Sequence, residues 1–145
     1  MRPPFLFKEI PMTTLFQTTI EKLLAAHNKL EQFQSQLDFH VRFDMPGYQR
    51  LVIERHGELI SVAHYFEQNG DLIPDPDVEL HYPTWTPTAI TQAFGVRRTK
   101  FITHMNDMVL VDTRFDREVS SFLSMWARNI QAQGWAQRGQ VHDDR

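Results

Sequence analysis

The sequence contains no cysteine, which excludes disulfide bonds, thiolate zinc sites and a cysteine nucleophile. No apolar run approaches the roughly 18 residues that a membrane-spanning helix needs. The short apolar patch Phe5-Leu6-Phe7 is flanked by prolines, so we expect residues 1–12 to form an N-terminal arm rather than a signal sequence. These absences favour a cytoplasmic protein that has no membrane partner.

Positive charge is also scarce, with 15 lysines and arginines against 18 carboxylates and a net charge of −3. Affinity for nucleic acid comes largely from cations that displace counterions from phosphates, so nucleic acid is not an expected partner. The one basic cluster is Arg97-Arg98-Thr99-Lys100. A solvated strand end is its ordinary interpretation, and a ligand or partner contact through Arg97 and Arg98 is the alternative.

Common catalytic motifs are missing as well. The sequence has no G-x-S-x-G elbow, phosphate-binding P-loop, dinucleotide fingerprint or H-E-x-x-H helix. We therefore expect no cofactor, and a binding protein rather than an enzyme.

Helical patterns are present near both ends of the chain. Thr14 and Gln17 have the spacing of a capping box, which predicts a helix start. The apolar stripe that follows is Phe16, Ile20, Leu23, Leu24, His27, Leu30 and Phe33. A second stripe is Phe115, Val119, Phe122, Leu123, Trp126 and Ile130, with Asp112 or Thr113 as the N-cap and Gly134 as the C-terminal cap.

Between these helices the apolar period changes to two. Leu37, Phe39, Val41 and Phe43 alternate with polar residues, which is typical of a half-buried strand. Asn69-Gly70 predicts a tight hairpin, and a second hairpin is predicted at Asn106-Asp107. The order predicts an α+β fold, an antiparallel sheet of five to seven strands with an N-terminal and a C-terminal helix packed on one face. We expect one domain over residues 13–136 and a disordered tail over residues 137–145.

The segment HYFEQNGDLIPDPDVEL, residues 64–80, concentrates groups that could carry chemistry. His64 with Glu67 and Asp71 is the candidate acid/base set, and Asp71, Asp75 and Asp77 are weak candidates for a hard cation. Strand alternation points His64 and Glu67 to opposite faces, so turn and packing roles are the preferred interpretation and no metal is expected.

Trp85 lies in an irregular segment rich in proline and threonine. We expect this side chain to be partly exposed, where it could anchor a protein interface.

The residues ISVAHYFEQNGDLIPDPDVEL and the later FLSMWARN resemble the signature of a bacterial family of small uncharacterised proteins, a domain of unknown function. Members of this family are common on plasmids, phages and integrative elements. The resemblance implies an accessory protein of a mobile element that acts by protein-protein interaction, in regulation or counter-defence. Its partner is not identified, and a homodimer stays open. The alternative is a small metal-dependent hydrolase or a nucleotide-binding enzyme that uses His64 and nearby carboxylates.

Overall fold

The computed structural model describes residues 13–92, 95–103 and 109–142. Its helices are α1 Leu15–Ala26, α2 Leu30–Ser35, α3 Phe115–Gln133 and the single turn α4 Trp135–Arg138. Its strands are β1 Asp38–Asp44, β2 Arg50–His56, β3 Leu59–Gln68, β4 Asp71–His81, β5 Thr86–Gln92, β6 Val96–Thr99, β7 Phe101–Thr103, β8 Val109–Val111 and β9 Gln140–His142.

Seven strands form one open sheet in the order β6-β5-β4-β3-β2-β1-β9, and every neighbouring pair is antiparallel. β7 and β8 form a separate two-stranded ribbon. The predicted α+β class, the strand number and the helices at both ends are confirmed. No helix in the described ranges is long and apolar enough to cross a membrane.

The N-terminal helix begins where the capping box predicts. The Gln17 amide donates to Thr14 Oγ1 at 3.1 Å, which satisfies one of the first free helical N–H groups. The apolar stripe continues beyond this helix, but the helix itself ends there, because Asn28 takes a positive φ of 60° and separates α1 from α2. Phe33, at the end of the stripe, is fully buried on α2.

The C-terminal helix begins slightly later than predicted, at Phe115. Asp112 still serves its start, because Asp112 Oδ1 accepts from the Arg114 amide at 3.0 Å. Gly134 ends the helix with a φ of 83°, which confirms the predicted left-handed cap. Trp135 follows immediately and is fully buried.

One face of the sheet is covered by the helices and forms the core. The register places Phe39, Val41 and Phe43 of β1 beside Arg55, Ile53 and Leu51 of β2 on this face. The apolar members among them are at most 4% exposed and join the helices in one cluster. We call this side the covered face and the opposite side the open face.

Two expectations from the sequence are wrong. Trp85 is 2% exposed, because its ring packs against Phe16 and Phe33 in the core with centroid distances of 6.5 and 5.9 Å. Within the tail that we expected to be disordered, Gln140–His142 form β9 and pair with the outer edge of β1. A polar strand of three residues gives no periodic signal, so the sequence alone could not show it.

Other predictions fall on residues that the structure does not describe. The N-terminal arm 1–12, the Asn106-Asp107 turn and residues 143–145 lie outside the described ranges. The two strands that flank that turn, β7 and β8, do pair as a hairpin requires.

Candidate functional site

The open face of the sheet carries mainly polar side chains, because every second residue of each strand points away from the helices. Its rows across the strands follow from the register, in which His40 lies beside Glu54, Glu54 beside Ser61, and Ser61 beside Glu79. At the centre are the small residues Val52 and Ala63, which are 7% and 1% exposed because longer neighbours surround them. The centre of the open face is therefore apolar, and the side chains that surround it are polar or charged.

A cleft opens where the β3–β4 hairpin extends beyond β2. The last pair between β2 and β3 is Arg50 with Tyr65, whereas β3 and β4 continue for three more pairs to Gln68 and Asp71. A bulge between Ala63 and Tyr65 shifts the β3–β4 register at this point, and bulges bend a strand and increase its twist. The overhang therefore forms a wall beside β2.

Two hollows adjoin beneath this wall and share Arg50, Tyr65 and Leu72. The outer hollow, of about 470 Å³, also borders Asp44, Tyr48 and Glu67. The inner hollow, of about 290 Å³, also borders His40, Arg42, Val52 and Glu54. Both hollows are shallow and open to solvent, and we call them the β2–β3 cleft.

Asp44 organises the charges at one end of the cleft. Its Oδ2 lies 3.0 Å from Arg42 Nε and 3.1 Å from His142 Nε2, while its Oδ1 lies 3.6 Å from Arg50 Nε. One carboxylate thus faces two arginines and a histidine. His142 is supplied by β9, the strand that the sequence did not predict.

Carboxylates gather further along the open face. Burial raises the pKa of Asp77, and the negative charges of Glu79 and Glu54 add to this effect, against a 2.8 Å hydrogen bond from Ser61 Oγ and the charge of Arg97. Burial also raises the pKa of Tyr65, with contributions from Asp77 and Glu54. The Tyr65 phenol therefore stays protonated at neutral pH and can both donate and accept a hydrogen bond.

His64, the first candidate from the sequence, lies on the covered face. Its ring packs between Trp126 and Trp135, with centroid distances of 5.5 and 5.7 Å. Nδ1 lies 3.2 Å from the Gln49 carbonyl oxygen and 3.3 Å from that of Arg50. Because carbonyls only accept, Nδ1 carries the hydrogen, and burial lowers the pKa of the ring so that it is neutral. This geometry accounts for His64 as a partly buried packing residue whose Nδ1–H is satisfied by backbone carbonyls.

The other acid/base candidates do not join His64. Glu67 borders the outer hollow on the open face, and Asp71 is exposed at the hairpin end. The partner of Asp71, Gln68, is four residues along β3 from His64, about 13 Å at the usual strand rise.

The metal candidates Asp71, Asp75 and Asp77 are also kept apart. Asp77 bonds to Ser61 on the open face, while Asp75 lies in the stretch of β4 that has no partner at the bulge. Within the described residues, no group of three or more histidines and carboxylates could hold a metal ion.

Arg97 and Arg98 are engaged by carboxylates of the same chain. Arg97 donates from both terminal nitrogens to Glu79, at 3.1 and 3.0 Å. Arg98 donates to Glu118 at 2.7 Å and to Asp112 at 3.3 Å, on the opposite face of the sheet. These bonds favour the ordinary interpretation of the basic cluster, and Trp85 is withdrawn into the core.

Arg50, Arg42 and Leu72, which line the cleft, were not among the candidates from the sequence. Strand alternation places Arg42 and Arg50 on the outward positions, and the short turn between β1 and β2 implies that Arg50 pairs with Asp44. The sequence therefore contains a signal for the arginines. It contains none for Leu72, whose place in the cleft depends on the bulge and on the length of the overhang.

Comparisons with known proteins find a family but no characterised relative. Neither a curated protein nor a solved structure is significantly similar to the chain. A family model described as a domain of unknown function (DUF6908) matches residues 18–136, which include all the cleft residues named above except His142. The chain therefore belongs to the DUF6908 family, whose function is unknown.

Proposed function

We propose that the protein is a non-enzymatic accessory protein that acts by binding another protein through the β6 edge and the β7–β8 ribbon. The observation that carries the proposal is apolar exposure in this region. Phe101 and Val111 lie directly opposite each other in the ribbon and are 51% and 50% exposed. Val96 on β6 and Leu110 on β8 are exposed as well.

This concentration is unusual for the molecule. Four of the ten large apolar side chains that are exposed in the described residues fall between positions 96 and 111. Among them Phe101 and Val111 are cross-strand neighbours on one face of the ribbon, and adjacent exposed apolar residues are typical of interaction surfaces.

The backbone here also offers unused pairing capacity. β6 is the last strand of the sheet, and the ribbon pairs with no further strand in the described ranges. Such edges bind extended segments of other proteins by adding a strand, with main-chain hydrogen bonds supplying affinity and apolar side chains supplying selectivity. We therefore expect the partner to contribute an extended, apolar segment.

The charges around this region support a protein partner over a polyanion. Arg97 and Arg98 are occupied as described above, and Lys100 Nζ lies 3.4 Å from Asp116. Each cation of the basic cluster is thus balanced by a nearby carboxylate. The Lys100 amide donates to the Thr88 carbonyl and the Asp112 amide donates to the Lys100 carbonyl, so the base of the ribbon is anchored to the sheet.

Two finer parts of the proposal rest on the sequence. A role in a bacterial mobile element, in regulation or counter-defence, follows the family resemblance, and a cytoplasmic setting follows the lack of cysteine. The alternative function, a metal-dependent hydrolase or nucleotide-binding enzyme built on His64, has no support in the geometry because its residues are not brought together.

The proposal is tested by a photo-crosslinking residue at Val111, used in the host cell to capture and identify the partner. The purified partner is then titrated with the wild type and with the Phe101→Ser/Val111→Ser double variant. We expect the dissociation constant to rise about 30-fold or more, as for loss of central apolar anchors.

Leu37→Ser is the matched control, because Leu37 is 70% exposed but lies just before β1. We expect it to bind like the wild type. Equal binding by the double variant would contradict the proposal. A crosslink that joins two copies of the chain would instead assign the surface to a homodimer.

A further inference from the structure

The arginine side chains of the sheet differ in how many hydrogen bonds they donate to other residues of the chain. Arg55, Arg97 and Arg98 each donate two or three hydrogen bonds to oxygens of the chain, and Arg42 donates one to Asp44. The Arg50 side chain donates no hydrogen bond to the described residues. Its closest ion-pair contact is Nε to Asp44 Oδ1 at 3.6 Å, and Nε itself is buried.

This arrangement is costly unless something else accepts from Arg50. Buried donors without an acceptor lose their hydration without recovering the hydrogen bond. Asp44 Oδ1, the nearest acceptor, lies 3.6 Å from Nε, beyond hydrogen-bonding distance, while Asp44 Oδ2 is turned to Arg42 and His142. The Arg50 side chain is 28% exposed and borders both hollows of the β2–β3 cleft, so a ligand there would meet its terminal nitrogens rather than the buried Nε.

We propose that the β2–β3 cleft binds a small organic anion, a carboxylate or a phosphate monoester, whose charged group is held by Arg50 and whose apolar part lies between Leu72 and Tyr65. A planar guanidinium with free donors matches either anion in a two-bond geometry. Leu72 is 49% exposed on the overhang, so it offers apolar surface at the point where Arg50 offers charge. The protonated Tyr65 phenol supplies one further donor.

The charges that line the cleft limit how many anionic groups the ligand can carry. Arg42 and Arg50 stand against Asp44, Glu54 and Glu67 along the cleft, so attraction for an anion is local to Arg50, because Arg42 is already paired with Asp44. Glu67 borders the outer hollow and Glu54 the inner one, and both repel a second negative group placed at either end. The cleft therefore selects a single, compact anionic group, and a nucleic acid strand is disfavoured.

The test is calorimetric titration of the full chain with phenyl phosphate and with benzoate, using benzyl alcohol as the neutral probe, at constant ionic strength. We expect at least one of the two anions to saturate with a dissociation constant on the order of 1 mM or below. The relative affinities of phenyl phosphate and benzoate show whether the cleft prefers a phosphate or a carboxylate. Benzyl alcohol should not saturate.

Variants separate the cleft from general charge effects. Arg50→Gln should weaken the anion about tenfold or more, the loss expected when a charge-assisted hydrogen bond is removed. Arg117→Gln is the matched control, because it removes the same charge from an exposed position of α3, and it should bind like the wild type. Leu72→Glu should abolish binding by repulsion, and its exposed position protects against a folding defect.

Three results would overturn the proposal. These are no saturation by either anion, equal weakening by Arg117→Gln and Arg50→Gln, or binding of benzyl alcohol as tight as that of the anions. Circular dichroism of each variant shows whether it is folded. If Arg50→Gln is not folded, Arg50→Lys with Leu72→Glu decides the question by the same comparison.

Discussion

Strand β2 places one arginine on each face of the sheet, and the two side chains have different environments. Arg55 points to the covered face, is 6% exposed, and donates to the carbonyls of Phe33, Gln34 and Gly57. Its guanidinium also lies 3.8 Å from the centroid of the Tyr82 ring. Arg50, five residues earlier on the same strand, points to the open face, and its side chain donates no hydrogen bond to the described residues.

The difference shows how one strand can serve both folding and binding. On the covered face, polar groups are satisfied by the chain itself, so they contribute to stability. On the open face, the Arg50 side chain borders the β2–β3 cleft and retains hydrogen-bond donors that the described residues do not satisfy. We expect stability to depend on the first set and ligand affinity on the second.

The largest effect should come from apolar packing on the covered face. Ile53 is fully buried there, and Ile53→Ala should lower the free energy of unfolding by about 2 to 5 kcal/mol through lost burial and a cavity. Val52, its neighbour on the open face, is 7% exposed. Val52→Ala should cost only about 1 kcal/mol. Urea unfolding measures both, and equal losses would remove the distinction between the faces.

The next largest effect should separate the two arginines. Arg55→Met should lower the free energy of unfolding by about 2 to 4 kcal/mol, because three carbonyls lose their charged donor. Arg50→Met should not lower it, since the Arg50 side chain donates no hydrogen bond that would be lost and its buried, unpartnered Nε is removed. Thermal unfolding of the two variants is the measurement. A loss for Arg50→Met as large as that for Arg55→Met would mean that Arg50 has a structural role.

The smallest effect concerns pH and His64. Burial lowers the pKa of His64 in the folded protein below its ordinary value of 6.5, so the unfolded chain binds this proton more readily. Above pH 6.5 both states are neutral and the group has no effect. As pH falls below 6.5 towards the lowered pKa, the free energy of unfolding should decrease, by at most about 1.4 kcal/mol per pH unit.

His64→Gln removes this titration while keeping an amide that can donate to the Gln49 and Arg50 carbonyls. Urea unfolding of the wild type and the variant between pH 7 and pH 5 measures the difference in slope. The wild type should lose more stability than the variant as the pH falls. Parallel pH profiles would show that His64 does not titrate differently in the two states.

Much of the covered face could be predicted from the sequence, because it depends on local periodicity. The capping box at Thr14, the alternation through Phe39, Val41 and Phe43, and the Gly134 cap are all local signals. Trp85 shows the limit of this reasoning. Its irregular, proline-rich segment suggested exposure, whereas contacts with distant Phe16 and Phe33 decide its burial.

The open-face site could be predicted only in part, because it depends on long-range register. The sequence places Arg50 outward, but it does not show that the β3–β4 hairpin overhangs β2 or that a bulge follows Ala63. It also does not show β9, which brings His142 to Asp44 at one end of the cleft. Of the segment around His64, the cleft is lined by Tyr65, Leu72 and one of the candidate carboxylates, Glu67, whereas His64 itself lies on the covered face.

The most direct test of this account is a nuclear magnetic resonance titration that observes the arginine Nε–H signals while phenyl phosphate is added. The account predicts that the Arg50 signal moves and saturates while the Arg55 signal stays in place, because the donors of Arg55 are already engaged with the carbonyls of Phe33, Gln34 and Gly57. An Arg50 signal that does not move, or arginine signals that all drift together without saturation, would contradict it.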